Sequence, residues 1–230
     1  MKQEYYDENK HSYLRSKNDQ FAKYIYSLIR QEDFDKFSNC VEFGSGMGRF
    51  SFPLVANFTK VTLVEPTPAY VSILRESFFQ DDVQIFQGTV REFIDTEATE
   101  PNPLVFCFHL LHHLSPEDRG YLYDFIRNKQ GKAVFVEPNP FNPLILLQIL
   151  IHPDMSLAEE QQYLLLTPGR YRRELSQHGL RLVSYRRICP FPPFLMDFIL
   201  NKIGHKILTR LEFIARYFPF CASYQVLICE

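Results

Sequence analysis

Leu14, Phe21, Tyr24, Ile25 and Leu28 recur at helical spacing, so residues 12–30 predict one amphipathic helix ahead of the first strand. The rhythm then changes. Residues 40–43 (Cys-Val-Glu-Phe) form a short apolar run that stops at glycines, and residues 49–57 regain helical character, giving a strand, a glycine turn and a helix. The scheme repeats with strands predicted at 60–64, 83–86, 104–108 and 133–136, and helices at 69–79, 90–95 and 117–128. Alternation of this kind predicts βαβ units, hence an α/β fold: a doubly wound, mostly parallel sheet with helices on both faces. Its crossovers should be right-handed and its ligands at the C-terminal strand ends.

The last third departs from the pattern. A strongly apolar helix (144–151), an acidic helical turn (157–165) and a helix over 168–178 precede a strand at 180–187. Beyond a proline cluster at 190–193 come one long helical section, 195–217, and a terminal strand, 223–229, which brings the strands to seven. No repeat or low-complexity segment divides the chain, and 230 residues fit one domain. Residues 1–37 are read as an N-terminal cap helix and 38–137 as the cofactor-binding core. Residues 138–179 and 189–222 are read as lid or substrate insertions.

Composition narrows the class. Hydrophobic residues at 46% and charged residues at 23% are ordinary for a globular chain that buries a core. A net charge of -2 gives no electrostatic case for nucleic acid. The five cysteines are scattered and never in a Cys-x-x-Cys pair, which suggests neither a disulfide framework nor a zinc site and fits a reducing cytoplasm. The charged start lacks a secretory signal's apolar segment, and 144–151 is too short to span a bilayer, so a soluble cytoplasmic protein is expected.

Gly44, Gly46 and Gly48 follow a strand and precede a helix, where bare backbone turns tightly and approaches a ligand at the helix's positive end. The spacing Gly-x-Gly-x-Gly is not the dinucleotide Gly-x-Gly-x-x-Gly. Glu42, just before the loop, would repel a pyrophosphate but suits a cationic amino group. Glu65 ends the next strand, where a carboxylate can accept both hydroxyls of a ribose.

Residues 42–48, Glu-Phe-Gly-Ser-Gly-Met-Gly, resemble the first motif of class I S-adenosylmethionine (SAM) dependent methyltransferases, Asp/Glu-x-Gly-x-Gly-x-Gly. The family's fourth motif is similar to Phe108-His-Leu-Leu-His-His-Leu-Ser115. The resemblance covers about residues 38–137 and implies a seven-stranded sheet with an antiparallel last strand, SAM as methyl donor and S-adenosylhomocysteine (SAH) as product. It also implies cofactor contacts from Glu42, Gly44, Ser45, Gly46, Gly48, Glu65, Pro66, Gly88, Thr89, Val90 and His109. Tyr13, with Tyr5 and Tyr6, would close over the cofactor from an N-terminal helix. Thr89 departs from the family's Gly-Asp pair after the third strand, so its hydroxyl, nearby amides or Gln87 would have to read adenine.

Methyl transfer needs alignment of the acceptor and exclusion of water, and a base only when the acceptor has a proton to lose. His109, His112 and His113 fall near the expected acceptor mouth and suit base work, with Glu137, in Glu-Pro-Asn-Pro, as a substrate-contact candidate. A metal is not expected: His109 and His113 would need a regular helix and a third ligand, and no acid lies at a helpful local spacing. The apolar lid segments favour a small or lipid-like, partly apolar acceptor, methylated on oxygen, nitrogen or carbon. Basic residues over 202–216 are compatible with peripheral membrane contact, and a monomer or homodimer is expected. The alternatives are a non-methyl transfer or cyclisation on the same fold, and a SAM-binding partner subunit without turnover. An oxidoreductase is opposed by the glycine spacing.

Overall fold

The computed structural model describes residues 20–30, 32–96, 101–151, 157–191 and 193–230. Seven strands form one sheet: β1 (Asn39–Phe43), β2 (Lys60–Glu65), β3 (Val83–Gln87), β4 (Leu104–Phe108), β5 (Lys132–Pro138), β6 (Leu182–Ile188) and β7 (Tyr224–Cys229). Their order is β3-β2-β1-β4-β5-β7-β6. Strands β1 to β5 pair in parallel, and β7 is antiparallel to both β5 and β6. The expected fold class is therefore the observed one. The order reverses between β1 and β4, which opens the crevice where such sheets bind ligands.

The helices are α1 (Gln20–Ile29), α2 (Ser51–Val55), α3 (Pro68–Ser77), α4 (Val90–Thr96), α5 (Pro116–Asn128), α6 (Pro143–Ile151), α7 (Leu157–Glu160), α8 (Pro168–Gln177), α9 (Pro193–Ile203) and α10 (His205–Tyr217). Side chains alternate across the central strands. Cys40, Leu104, Phe106, Phe108, Val134 and Val136 face one core, shared with Phe21 and Ile25 of α1, Leu54 of α2 and Leu208 of α10. Val41, Phe43, Val105, Cys107, Ala133 and Phe135 face the other, shared with Phe93, Leu122, Tyr171 and Leu175 of α4, α5 and α8. Strands apolar on both faces are what a sheet covered twice demands.

Two helical segments differ in substance from the sequence reading. The single helix expected over 195–217 is two helices, because Gly204 takes φ +78°, a left-handed conformation that ends a helical run. The helix expected over 49–57 shortens to α2, since the glycine loop turns through its start. The histidine segment after β4 is a 3-10 turn, Leu111–His113, entered through His109 at φ +55°, so no regular helix sets His109 and His113 on one face. Part of the N-terminal cap helix, with Tyr5, Tyr6 and Tyr13, lies outside the described residues.

Candidate functional site

The glycine loop leaves β1 at the switch point with Gly44, Gly46 and Gly48 at φ +72°, +54° and +86°, all in the left-handed region that favours glycine. An added Cβ at Gly44 would come within 2.8 Å of Leu110 Cδ1, and one at Gly48 within 2.7 Å of Phe78 Cε2. One at Gly46 would meet nothing within 4 Å. The outer glycines serve packing, and the middle one borders open space.

Two buried carboxyls support the loop. Glu65 accepts the Gly46 N–H at 2.9 Å on Oε2 and the Thr67 N–H at 2.9 Å on Oε1, fixing the loop to the end of β2. Each oxygen keeps a further lone pair for a ligand hydroxyl. Burial raises its pKa, with the Thr67 and Gly46 hydrogen bonds pulling the other way. Glu42, buried behind the loop, accepts from Ser51 Oγ at 2.5 Å. Burial pushes its pKa up to about 8, against the Ser51 bond and with some help from the charge of Glu65. Ser45 donates to the Glu42 carbonyl at 3.2 Å.

A cavity of about 300 Å³ opens beside this loop, over the ends of β2 and β3. Gly44, Pro66, Gly88, Thr89, Val90 and His113 line it among the expected site residues. Thr89 forms a capping box at the start of α4. Its N–H and Oγ1 donate to Glu92 Oε2 at 2.7 and 2.9 Å, and Oγ1 accepts the Glu92 N–H at 3.2 Å. A larger groove at residues 36–41, 60–62 and 101–103 lies at the opposite, N-terminal ends of the strands, where this architecture does not place its ligands.

A second, smaller cavity of about 110 Å³ lies under α6. His109, His112, His113, Glu160 and Tyr224 line it with Ile145, Gln148 and Ile149 of α6. His113 borders both cavities. His109, expected among the cofactor contacts, faces this second space instead, stacked on Tyr224 with ring centroids 4.7 Å apart. Burial, the largest influence on each, lowers the pKa of His109 to about 4 and that of His113 to about 3, so both rings are neutral at pH 7.

Glu137 is not at the mouth. It is 1% exposed, and its Oε1 accepts the N–H groups of Leu110 and Leu111 at 2.9 and 2.8 Å. Its Oε2 lies 2.6 Å from His112 Nδ1. Burial raises the Glu137 pKa, but the neighbouring His112 outweighs it and holds the acid low. The same pairing, joined by Glu160, holds His112 high against burial. Sequence reasoning grouped His112 with its neighbouring histidines but passed over Glu160. Glu160 approaches His112 Nε2 at 3.3 Å from 48 residues downstream, a closeness that no local spacing discloses.

Arg119 braces the histidine turn from α5. It donates from Nε and Nη2 to the two oxygens of Glu174, both at 2.9 Å, and from Nη1 to the Leu114 carbonyl at 2.7 Å. Of the two expected lid segments, 138–179 lines the second cavity with residues of α6 and Glu160. Among the described residues 189–222 lines neither cavity. Met196, Ile199, Leu200 and Leu208 are instead drawn into the core with α1, and Tyr24 hydrogen-bonds Glu212.

Residues 40–128 match the family model described as a methyltransferase domain. No curated protein sequence matches the chain. Among solved structures the chain is similar to a SAM-dependent methyltransferase from Archaeoglobus fulgidus, at 16% identity and a TM-score of 0.63, covering 90% of this chain and 93% of that one. It is similar also to one from Leishmania major, at 14% identity and 0.60, covering 91% and 71%. The plantazolicin methyltransferase, solved with a desmethyl analogue and SAH, gives 10% identity and 0.66, covering 99% and 92%. With the domain match over the cofactor end of the sheet and the strand order 3-2-1-4-5-7-6 around it, the chain has the seven-stranded fold of class I SAM-dependent methyltransferases.

Proposed function

We propose that this chain methylates a partly apolar small molecule, taking the methyl from SAM at the glycine loop and the acceptor through the histidine cavity under α6. The observation that carries this is the pair of cavities meeting at His113. The donor side fits SAM: Gly46 borders open space, Glu65 retains lone pairs for a ribose, and Glu42 is a buried acid awaiting a cation. When bound, SAM supplies a methyl group on a positively charged sulfur.

The protein's own residues then select and orient the acceptor. A space of about 110 Å³ holds only a few water volumes of about 30 Å³ each, so it suits the reacting end of a molecule. The rest would lie along α6, where Leu144, Leu147 and Leu150 and the nearby Phe141 are exposed and apolar. His109, whose Nε2 is buried and has no partner among the described residues, is placed to accept the acceptor's proton. Glu137 works one step back, by anchoring His112 and the turn that carries the imidazoles.

The test is transfer of labelled methyl from SAM to candidate acceptors that pair a short polar end with an apolar body, compared with His109→Ala. Label in an acceptor, with kcat reduced in the variant, supports the reading. SAM binding with no transfer to any acceptor class would favour a partner subunit that binds the donor without turnover.

A further inference from the structure

Under α6 the fold gathers more ligand chemistry than proton transfer requires. His112, His113 and Glu160 each offer one ligand atom, all within 4.8 Å of one another. We propose that these three residues bind one divalent first-row transition-metal ion, such as Zn²⁺, at the junction of the two cavities. Two imidazoles and a carboxylate are a familiar ligand set for such ions, with the remaining position open to water or substrate.

Three observations beyond the cluster point the same way. First, the two nitrogens of His112 are held unequally. Nδ1 lies 2.6 Å from Glu137, whereas Nε2 lies 3.3 Å from Glu160, longer than the roughly 2.7–2.9 Å of a charge-assisted bond. A metal-ligating histidine shows this asymmetry: one nitrogen is fixed by a carboxylate behind it, and the other faces the ion. Second, the supporting carboxylate is itself immobilised, since Glu137 accepts two backbone N–H groups. Third, the cavity has further donor capacity: His109 Nε2 and Gln148 Oε1 are buried without a hydrogen-bond partner among the described residues.

The geometry needs a modest contraction. Ligand atoms about 2.1 Å from a tetrahedral ion lie about 3.4 Å apart. The widest separation must therefore close by at most about 1.4 Å, within the reach of Glu160 on its short helical turn. An ion there would adjoin both cavities through His113 and hold an oxygen or nitrogen of the acceptor, so the functional part of this inference rests on the methyl-transfer reading; the binding itself does not.

The experiment uses the full chain, with the exposed thiol Cys221 replaced by serine to remove adventitious thiol ligation. Equilibrium dialysis with Zn²⁺, and visible absorption with Co²⁺ as a spectroscopic substitute, should give one ion per chain. Glu160→Ala and His113→Ala should weaken binding at least a hundredfold, and Glu137→Gln by about ten- to a hundredfold. Circular dichroism checks that each variant is folded. Should a variant not fold, the imidazole and carboxylate ligation read from the wild-type Co²⁺ spectrum decides in its place. No stoichiometric ion in the wild type, or equal binding in the folded variants, would overturn the proposal and leave His112 as an ion-paired imidazolium. SAH titration of the same wild-type sample separates the two readings: SAH binding without metal sinks only the metal site, and metal binding without SAH sinks only the methyl-transfer reading.

Discussion

Binding of the cofactor should release a proton from Glu42. This carboxyl is buried behind the glycine loop, with its pKa pushed up to about 8. At pH 7 a group of that pKa is about 90% protonated. A ligand ammonium placed beside it favours the charged form, and a fall of about 2 units or more is ordinary for such a contact. That leaves the bound acid roughly 10% protonated at pH 7, a release of about 0.8 proton per SAH, and it strengthens binding at pH 7 about tenfold relative to a carboxyl held neutral. Affinity should therefore rise about fivefold from pH 7 to pH 8 and flatten above.

The assay is calorimetry at one pH in buffers of different ionisation enthalpy. The slope of apparent heat against ionisation enthalpy gives the protons released, and Glu42→Gln should bring it to zero. A wild-type slope near zero, or one that persists in the variant, would refute the placement of the ligand's cation at Glu42. The stability sign runs the other way. The folded pKa lies above the ordinary carboxyl value of 4.5, so nothing is lost below pH 4.5, and stability declines as pH rises from there toward 8. The penalty at pH 7 is at most about 3 kcal/mol, and Glu42→Gln should recover part of it while losing affinity.

Other perturbations separate packing from binding. Gly48→Ala puts a Cβ 2.7 Å from Phe78 and 3.0 Å from Leu74 at φ +86°, so it should cost about 1–3 kcal/mol and lower Tm by several degrees in a thermal melt. Arg119→Ala leaves Glu174 paired with Arg170 alone and frees the Leu114 carbonyl; denaturant titration should show a loss of about 1–3 kcal/mol, and Arg119→Lys should restore little of it because the bidentate fork is gone. Thr89→Ala should cost about 1 kcal/mol through the lost cap of α4, with SAH affinity within about threefold of wild type, since the Thr89 side chain is engaged with Glu92.

The sheet was legible because each strand announces itself as a short apolar run between turn residues, and the glycine loop because its spacing and flanking acids carry a specific chemistry. Gly204 was read through as helix, since one glycine in an amphipathic run is tolerated until its φ turns positive. The acceptor site was only half legible. His109 and His113 stand out in the sequence, but the partners that define the site, Glu137 beneath His112 and Glu160 beyond it, arrive through strand pairing and a helical cover rather than through spacing. Glu137 drew notice as a strand end facing the mouth, and backbone N–H groups turn it inward. The proline-rich segment at 190–193 and the helices after it read as a lid because they are apolar, a composition that packing against α1 equally produces.

The most direct test of the central claim is titration of the chain with SAH, wild type against Gly46→Arg. Gly46 borders open space, so the arginine side chain has room without displacing the core and would occupy the ligand's place, although φ +54° adds some local strain. The account predicts saturable binding of one SAH per wild-type chain and none to the variant, with both proteins folded by circular dichroism. Absence of binding to the folded wild type, or equal binding to the two, would contradict it.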